Sequence, residues 1–143
     1  MASWIVVTHF AATMYLTGLI WFVQVVHYPL FSGVGENGFS AYEHDHVRRT
    51  SQVVMLPMLI EAGCTVALAF TLRSTPTAWM AWLGMGLLIA IWCSTAVFQV
   101  PCHHRLASGY APTTIERLVR TNWIRTWGWT ARAVLAFGML VTA

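Results

Sequence analysis

His27, His44, His46, His103 and His104 are five of the six histidines in this chain, and all five fall beside its two long polar links. Imidazole exchanges protons near neutral pH and ligates iron, copper and zinc. Glu43 stands three residues before His46, and Glu-x-x-His on inward-facing helices builds carboxylate-bridged metal centres in four-helix proteins. Gln24 precedes His27 by three residues and Gln99 precedes His103 by four, so on an α-helix each glutamine shares a face with its histidine. A site made from these residues has His27, His46 and His103 as metal ligands and Glu43 as fourth ligand or proton acceptor. Gln24 and Gln99 would then orient the imidazoles by hydrogen bonds, and Arg49 and Arg120 would hold an anionic group. The ion is a transition metal (iron, copper or zinc), with haem as the alternative.

Each of these residues also has a plainer reading. Ser40 with Glu43, and Thr113 with Glu116, have the spacing of capping boxes. His44, Asp45 and Arg48 fit an ordinary solvated first turn, and His104 and Arg105 fit interfacial anchors. His44 and His46 differ by about 200° around a helix, so only one of them faces inward. Val47 and Thr50 continue the side of His46 toward the apolar run, whereas His44 shares its face with Arg48, and this favours His46. His9 lies 18 positions before His27, about 27 Å away along a helix, which sets it apart near the opposite surface.

Two ionised residues interrupt apolar runs: Glu61 and, 71 positions later, Arg132. A charge in that setting is expensive unless it is paired or functional. An ion pair across the bundle is one reading, and a catalytic role for Glu61, as a proton relay or in substrate binding, is the other.

The elements that must position these residues follow from composition. The chain has 143 residues, 57% of them hydrophobic and 9% charged, which excludes an ordinary soluble domain. A membrane span needs about 20 mostly apolar residues, and four segments qualify: Trp4 to Val26, Val53 to Leu72, Ala78 to Val100 and Trp123 to Val141. The first is too long and uniform for a cleaved leader. Two stretches repeat a pattern, Phe22-Val23-Gln24 to His27-Tyr28-Pro29 and Val97-Phe98-Gln99 to Pro101-Cys102-His103. Each is followed by a polar link, a helix start and an Arg-Thr pair, Arg49-Thr50 and Arg120-Thr121. The expectation is one all-α domain, residues 1–143, a transmembrane four-helix bundle built from two helix–loop–helix repeats (about 1–75 and 76–143). Helices two and four should be longer than one and three.

All eight positive residues are arginines, and six of them flank the two long links. The positive-inside rule then puts both links in the cytoplasm and both termini outside. Lipid headgroups suffice as the partner of this basic surface, and no nucleic acid is required. Cys64 and Cys93 sit in apolar runs as small hydrophobes, and three cysteines without close spacing make no disulfide or zinc framework.

The segments Val26-His27-Tyr28-Pro29-Leu30-Phe31, Tyr42-Glu43-His44-Asp45-His46-Val47-Arg48-Arg49-Thr50 and Asn122-Trp123-Ile124-Arg125-Thr126 resemble a group of small bacterial four-helix integral membrane proteins over nearly the whole chain. That resemblance implies a bacterial inner-membrane protein and carries no chemistry with it. More distantly, the four-helix plan and polar helix ends are similar to the anthrone-oxygenase-like membrane family. His9 with the Tyr-Pro-Leu-Phe helix end is similar to the small four-helix protoporphyrinogen-oxidase family, which handles haem, although the lysine expected there has no counterpart here. The functional expectation is a metal-dependent oxidoreductase acting on an apolar or quinone-like small molecule. The alternatives are a non-catalytic subunit of a larger membrane complex binding haem, pigment or quinone, and a small transporter. Homo-oligomers or membrane-complex partners fit any of them.

Overall fold

The computed structural model describes residues 2–142 and, among them, contains helices and turns but no strand. The helices are α1 (Ala2–Phe22), α2 (Phe39–Thr71), α3 (Ala78–Ser94), α4 (Val100–Ala107) and α5 (Pro112–Val141). A π-helical turn, Thr95–Gln99, joins α3 to α4 as one rod, and α1 runs on through a second π turn, Val23–His27, into a 3-10 turn, Pro29–Gly33. The result is an all-α bundle of four rods in two helix–loop–helix units. The unbroken helices of rods two and four, 33 and 30 residues, exceed the 21 and 17 of α1 and α3.

Both π turns have the same cause. Proline has no N–H to give to the carbonyl four residues back, and the residue just before each proline bonds five back instead. Tyr28 N donates to Val23 O at 2.9 Å ahead of Pro29, and Val100 N donates to Thr95 O ahead of Pro101. The second set recurs 72 residues after the first, so the repeat seen in sequence extends to the backbone.

Many polar side chains lie inside this bundle among its apolar core, and large apolar ones cover its outside. Gln24, Glu43, Glu61, Gln99, Asn122 and Arg132 are buried, whereas Trp4, Leu56, Phe70, Trp79, Val97 and Val134 are exposed. That arrangement suits a hydrocarbon solvent. Three rods, Trp4–Gly33, Phe39–Thr71 and Ala78–Ala107, are long and apolar enough to cross a membrane. The fourth expected span is the exception: α5 is as long, but its polar residues lower its hydropathy. Those residues are turned inward, with Asn122, Thr126 and Arg132 buried, while Trp127, Val134 and Phe137 point out.

α1 and α3 each pack against both α2 and α5. The two diagonals of the bundle are therefore α1 with α3 and α2 with α5, and groups on α2 and α5 meet only by reaching across the axis. Glu61 and Arg132 do so. The Arg132 guanidinium binds the Glu61 carboxylate and the Gly84 carbonyl and donates to Thr65 Oγ1 at 2.7 Å. Thr13 and Thr65 hydroxyls add bonds to Glu61 Oε1 at 3.3 and 3.2 Å. His9 belongs here too, contrary to its expected isolation near the surface. It is buried with Nε2 3.3 Å from Glu61 Oε1, because antiparallel packing of α1 on α2 brings it level with Glu61.

The α1–α5 seam is polar along much of its length. Thr17 Oγ1 donates to Trp129 O at 3.1 Å and Trp21 Nε1 to Thr130 Oγ1 at 3.0 Å. Gln24 Oε1 accepts from Asn122 Nδ2 at 2.9 Å and Thr126 Oγ1 at 3.3 Å, and Gln24 Nε2 donates to Val119 O at 3.2 Å. Interhelical hydrogen bonds of this kind in membranes are worth about 0.6–2 kcal/mol each. Asn122→Ala should therefore lower stability by about 1 kcal/mol, read as a reduced thermal midpoint in detergent. An unchanged midpoint would mean that the seam contributes nothing.

Neither expected capping box forms. The cap of α2 is Gly38, whose φ of +83° is the left-handed conformation open to glycine, and no side chain caps the helix. Ser40 Oγ instead donates to Ala107 O at 2.6 Å, tying α2 to the end of α4. α5 starts on Pro112, whose fixed φ suits a first helical position, with no bond from Thr113 and with Glu116 exposed.

Candidate functional site

The polar end of the bundle gathers His27, His46 and His103 from three rods. Glu43 and His46, one turn apart, share the inward face of α2. The His46 ring lies 4.7 Å from that of His27 and 5.3 Å from that of His103 between centroids, stacked on the latter at 27°. His46 is buried and His44 is exposed, as the helix phase predicts. Phe31, fully buried, sets its edge against both His27 (5.3 Å) and His46 (5.0 Å) and closes the floor.

Two hydrogen-bonded chains run through the cluster. In one, Glu43 Oε1 lies 2.5 Å from His103 Nδ1, and the Tyr28 hydroxyl lies 3.1 Å from His103 Nε2. Those partners assign the tautomer: Nδ1–H donates to the carboxylate and Nε2 accepts from the phenol. Glu43 is fully buried, and its second oxygen has no protein partner. A contact this short between an imidazole nitrogen and a carboxyl oxygen is the strong kind of hydrogen bond. In the other chain, His27 Nε2 meets His46 Nδ1 at 2.8 Å, and Thr50 Oγ1 stands 3.2 Å from the same nitrogen.

The cluster stands in the wall between two lateral openings on either side of α2. A cleft of about 400 Å³ between α2 and α4 has Glu43 and His103 in its lining, Val47 and Val100 on its walls, and Arg48 and His104 at its rim. On the α1 side, a cavity of about 280 Å³ is lined by His27, Tyr42, Asp45, His46, Arg49 and Thr50. It shares His27, Arg49 and Thr50 with an apolar groove of about 190 Å³ along Leu19, Phe22, Val23 and Val53. Arg49 thus lies where an anionic group would be held, although it also stands 3.9 Å from Asp45.

Several sequence expectations are corrected. Gln24 and Gln99 do not orient the histidines: Gln24 bonds to α5 as above, and Gln99 Nε2 donates to Thr121 Oγ1 at 3.1 Å. For Gln24 the reason is the π turn, in which residues three apart no longer stack on one face; for Gln99, α5 packs alongside and supplies Thr121. Arg120 is exposed on α5 and lines neither opening. Glu61 lines neither opening and is held by Arg132, so the ion-pair reading describes it. Glu43 is not a cap but the partner of His103. Finally, His103 has turned both ring nitrogens to Glu43 and Tyr28. Among the described residues, no group of three or more His, Cys, Asp or Glu side chains is arranged to hold a metal ion.

Tyr28, Thr50 and Arg125 are site residues that the sequence reading passed over. Tyr28 had a signal, its place between His27 and Pro29, but only the π turn shows that it swings inward. No family model, no curated protein and no solved structure matches the chain.

Proposed function

We propose that this protein is a membrane-embedded oxidoreductase for an apolar, quinone-like molecule that reaches the site sideways from the bilayer, with Glu43 and His103 as the acid–base pair. The observation that carries this reading is the buried 2.5 Å contact between those two residues beside an apolar-walled cleft. A quinol hydroxyl must lose its proton as it is oxidised, and the Glu43 carboxylate in the cleft lining, with one oxygen buried and unpartnered, takes it once the entering ring uncovers that oxygen. Val47 and Val100 suit the ring, and Arg48 and His104 at the rim suit the charge that develops on oxygen. Oxidation to the quinone releases two electrons and two protons, and these pass to dioxygen, giving hydrogen peroxide, or to a quinone-type carrier in the membrane. Six of eight arginines lie around this end of the chain, which supports placing it at the cytoplasmic face of a bacterial inner membrane with both termini outside. Oxidation of a short-chain benzoquinol under air, followed in the ultraviolet, should proceed faster with protein-loaded nanodiscs than with empty ones. Equal rates, together with no shift of the His103 ring signals on adding the benzoquinone, would end this reading.

The edge-to-edge contact of His27 and His46 favours a second version of the same reading, in which a bound transition metal supplies the redox chemistry. Two imidazole nitrogens at 2.8 Å need to part only slightly to share an ion at about 2.0–2.2 Å from each. Glu43 is the carboxylate that commonly steadies a ligating histidine, and His103 completes the set if its Nε2 leaves Tyr28. Elemental analysis should then find iron or copper in stoichiometric amount, lost in His46→Ala and retained in His44→Ala, with a Soret band if the iron is haem; zinc alone would rule this version out. Metal-free protein that still turns over benzoquinol would leave the acid–base version alone standing.

A further inference from the structure

The two hydrogen-bonded chains of the site do not touch through protein atoms. His46 and His103 are stacked face to face at 5.3 Å, and an imidazole makes its hydrogen bonds in the ring plane, so no proton passes between them directly. Tyr28 and His46 share a different neighbour: an interior cavity of about 70 Å³ between α1, α2 and α5. Its polar lining is Tyr28, His46, Thr50 and Arg125, and its apolar walls include Val54, Met58 and Trp129.

We propose that this cavity holds ordered water bridging Tyr28 and His46, and that the water joins the two halves of the site into a single proton path between the two lateral openings. The volume suits about two waters, and a buried water needs two to four polar partners. Those partners are present. Arg125 gives NH1 to Asn122 at 3.1 Å but leaves Nε buried without a protein partner. Both contacts of His46 use Nδ1, which leaves Nε2 for the cavity. The Tyr28 hydroxyl gives its proton to His103 and keeps its oxygen as an acceptor. A cavity lined only by apolar groups stays dry; this one is not so lined.

The path balances proton for proton. The Glu43 carboxylate takes the Nδ1 proton of His103, His103 Nε2 takes that of Tyr28, and the phenolate oxygen takes one from water. The resulting hydroxide takes the Nε2 proton of His46, His46 Nδ1 takes that of His27 Nε2, and His27 Nδ1 is refilled from the opening on the α1 side. One proton is thereby delivered to Glu43, all three histidines finish neutral in their other tautomer, and the transient anions lie beside the Arg125 guanidinium, which favours them. Run in reverse from those tautomers, the path carries away the proton that Glu43 takes from the quinol; that use rests on the acid–base reading above, whereas the water itself does not and is tested separately.

X-ray hydroxyl-radical footprinting of the full chain in nanodiscs generates radicals from bound water. Trp129 in the cavity wall and Met139 in the far apolar cluster are equally buried, each 3% exposed. Trp129 should be oxidised and Met139 spared, and Val54→Phe, which fills the cavity without removing a polar atom, should abolish the Trp129 labelling. In protein with ¹⁵N-labelled histidine, His46 Nε2 should show an exchange cross-peak with water that Val54→Phe removes. Trp129 labelled no more than Met139, or His46 Nε2 without the cross-peak, overturns the proposal and leaves the benzoquinol experiment unaffected. A protein without quinol turnover that passes both tests keeps the water and loses only the enzyme reading.

Discussion

Glu61→Gln and Arg132→Gln are each expected to destabilise the bundle by about 3–5 kcal/mol, the usual result of stranding one member of a buried ion pair. Both side chains are essentially without solvent contact, at 0% and 1% exposure. In Glu61→Gln the guanidinium keeps Gly84 O and Thr65 but loses the only carboxylate beside it among the described residues. In Arg132→Gln the carboxylate keeps two threonine hydroxyls and has His9 Nε2 beside it at 3.3 Å. Arg132→Gln should accordingly be the milder of the two. The double variant should recover much of the loss, since two neutral amides across the axis strand nothing. Thermal unfolding in detergent of the four proteins in this cycle gives the coupling directly. Additive losses would mean that the pair exerts no attraction and that Arg132 is held by Gly84 and Thr65 alone.

The second large effect concerns Glu43. A positioned acid–base group contributes about 10²–10⁴-fold to rate, so Glu43→Gln should slow benzoquinol oxidation by that order. Gln matches the shape and can still accept from His103 Nδ1, so the thermal midpoint should change little. His103→Ala should lower the rate comparably, and it also frees Tyr28 from its partner. His44→Ala should lower the rate far less, because that side chain lines the same cleft but lies exposed and hydrogen-bonds to neither member of the pair. Loss of rate in His44→Ala with none in Glu43→Gln would move the chemistry to the rim of the cleft. A Glu43→Gln protein that fails to fold would instead make Glu43 a structural tie between α2 and α4, a case that the retained or lost thermal transition separates.

The location of the two clusters follows from the bundle. α2 and α5 are diagonal partners, so the equivalent positions of the two repeats at mid-depth face each other, and an acid at one with an arginine at the other makes a pair. At the polar end the equivalence breaks. Tyr28 and His103 belong to rods one and three, yet Tyr28 occupies the position 72 residues before Val100, not before His103. Only one copy of each site residue exists, and the cluster is a single asymmetric site despite the repeat.

What the sequence determined by itself is what local pattern controls. Apolar runs of membrane length, broken by polar links at matching intervals, specify rods and their number. Helix phase specifies which face of a rod turns inward, and it picked His46 over His44. The repeat offset paired Glu61 with Arg132, because a two-fold relation puts equivalent residues opposite each other. Tertiary structure decided the rest, and each case has a mechanical reason. Glu43 reads equally well as a cap or as a buried acid; the left-handed Gly38 took the cap position, and the approach of α4 brought His103 to the carboxylate. Gln24 lost its expected histidine and Tyr28 gained one because Pro29 forces a π turn, and one extra residue in a helix rotates everything after it by about 100°. His9 joined the ion pair because antiparallel packing sets two rods level, a relation that no single-helix pattern contains. Which face a residue occupies is local chemistry; which neighbour it finds there depends on how far and at what rotation a second helix approaches.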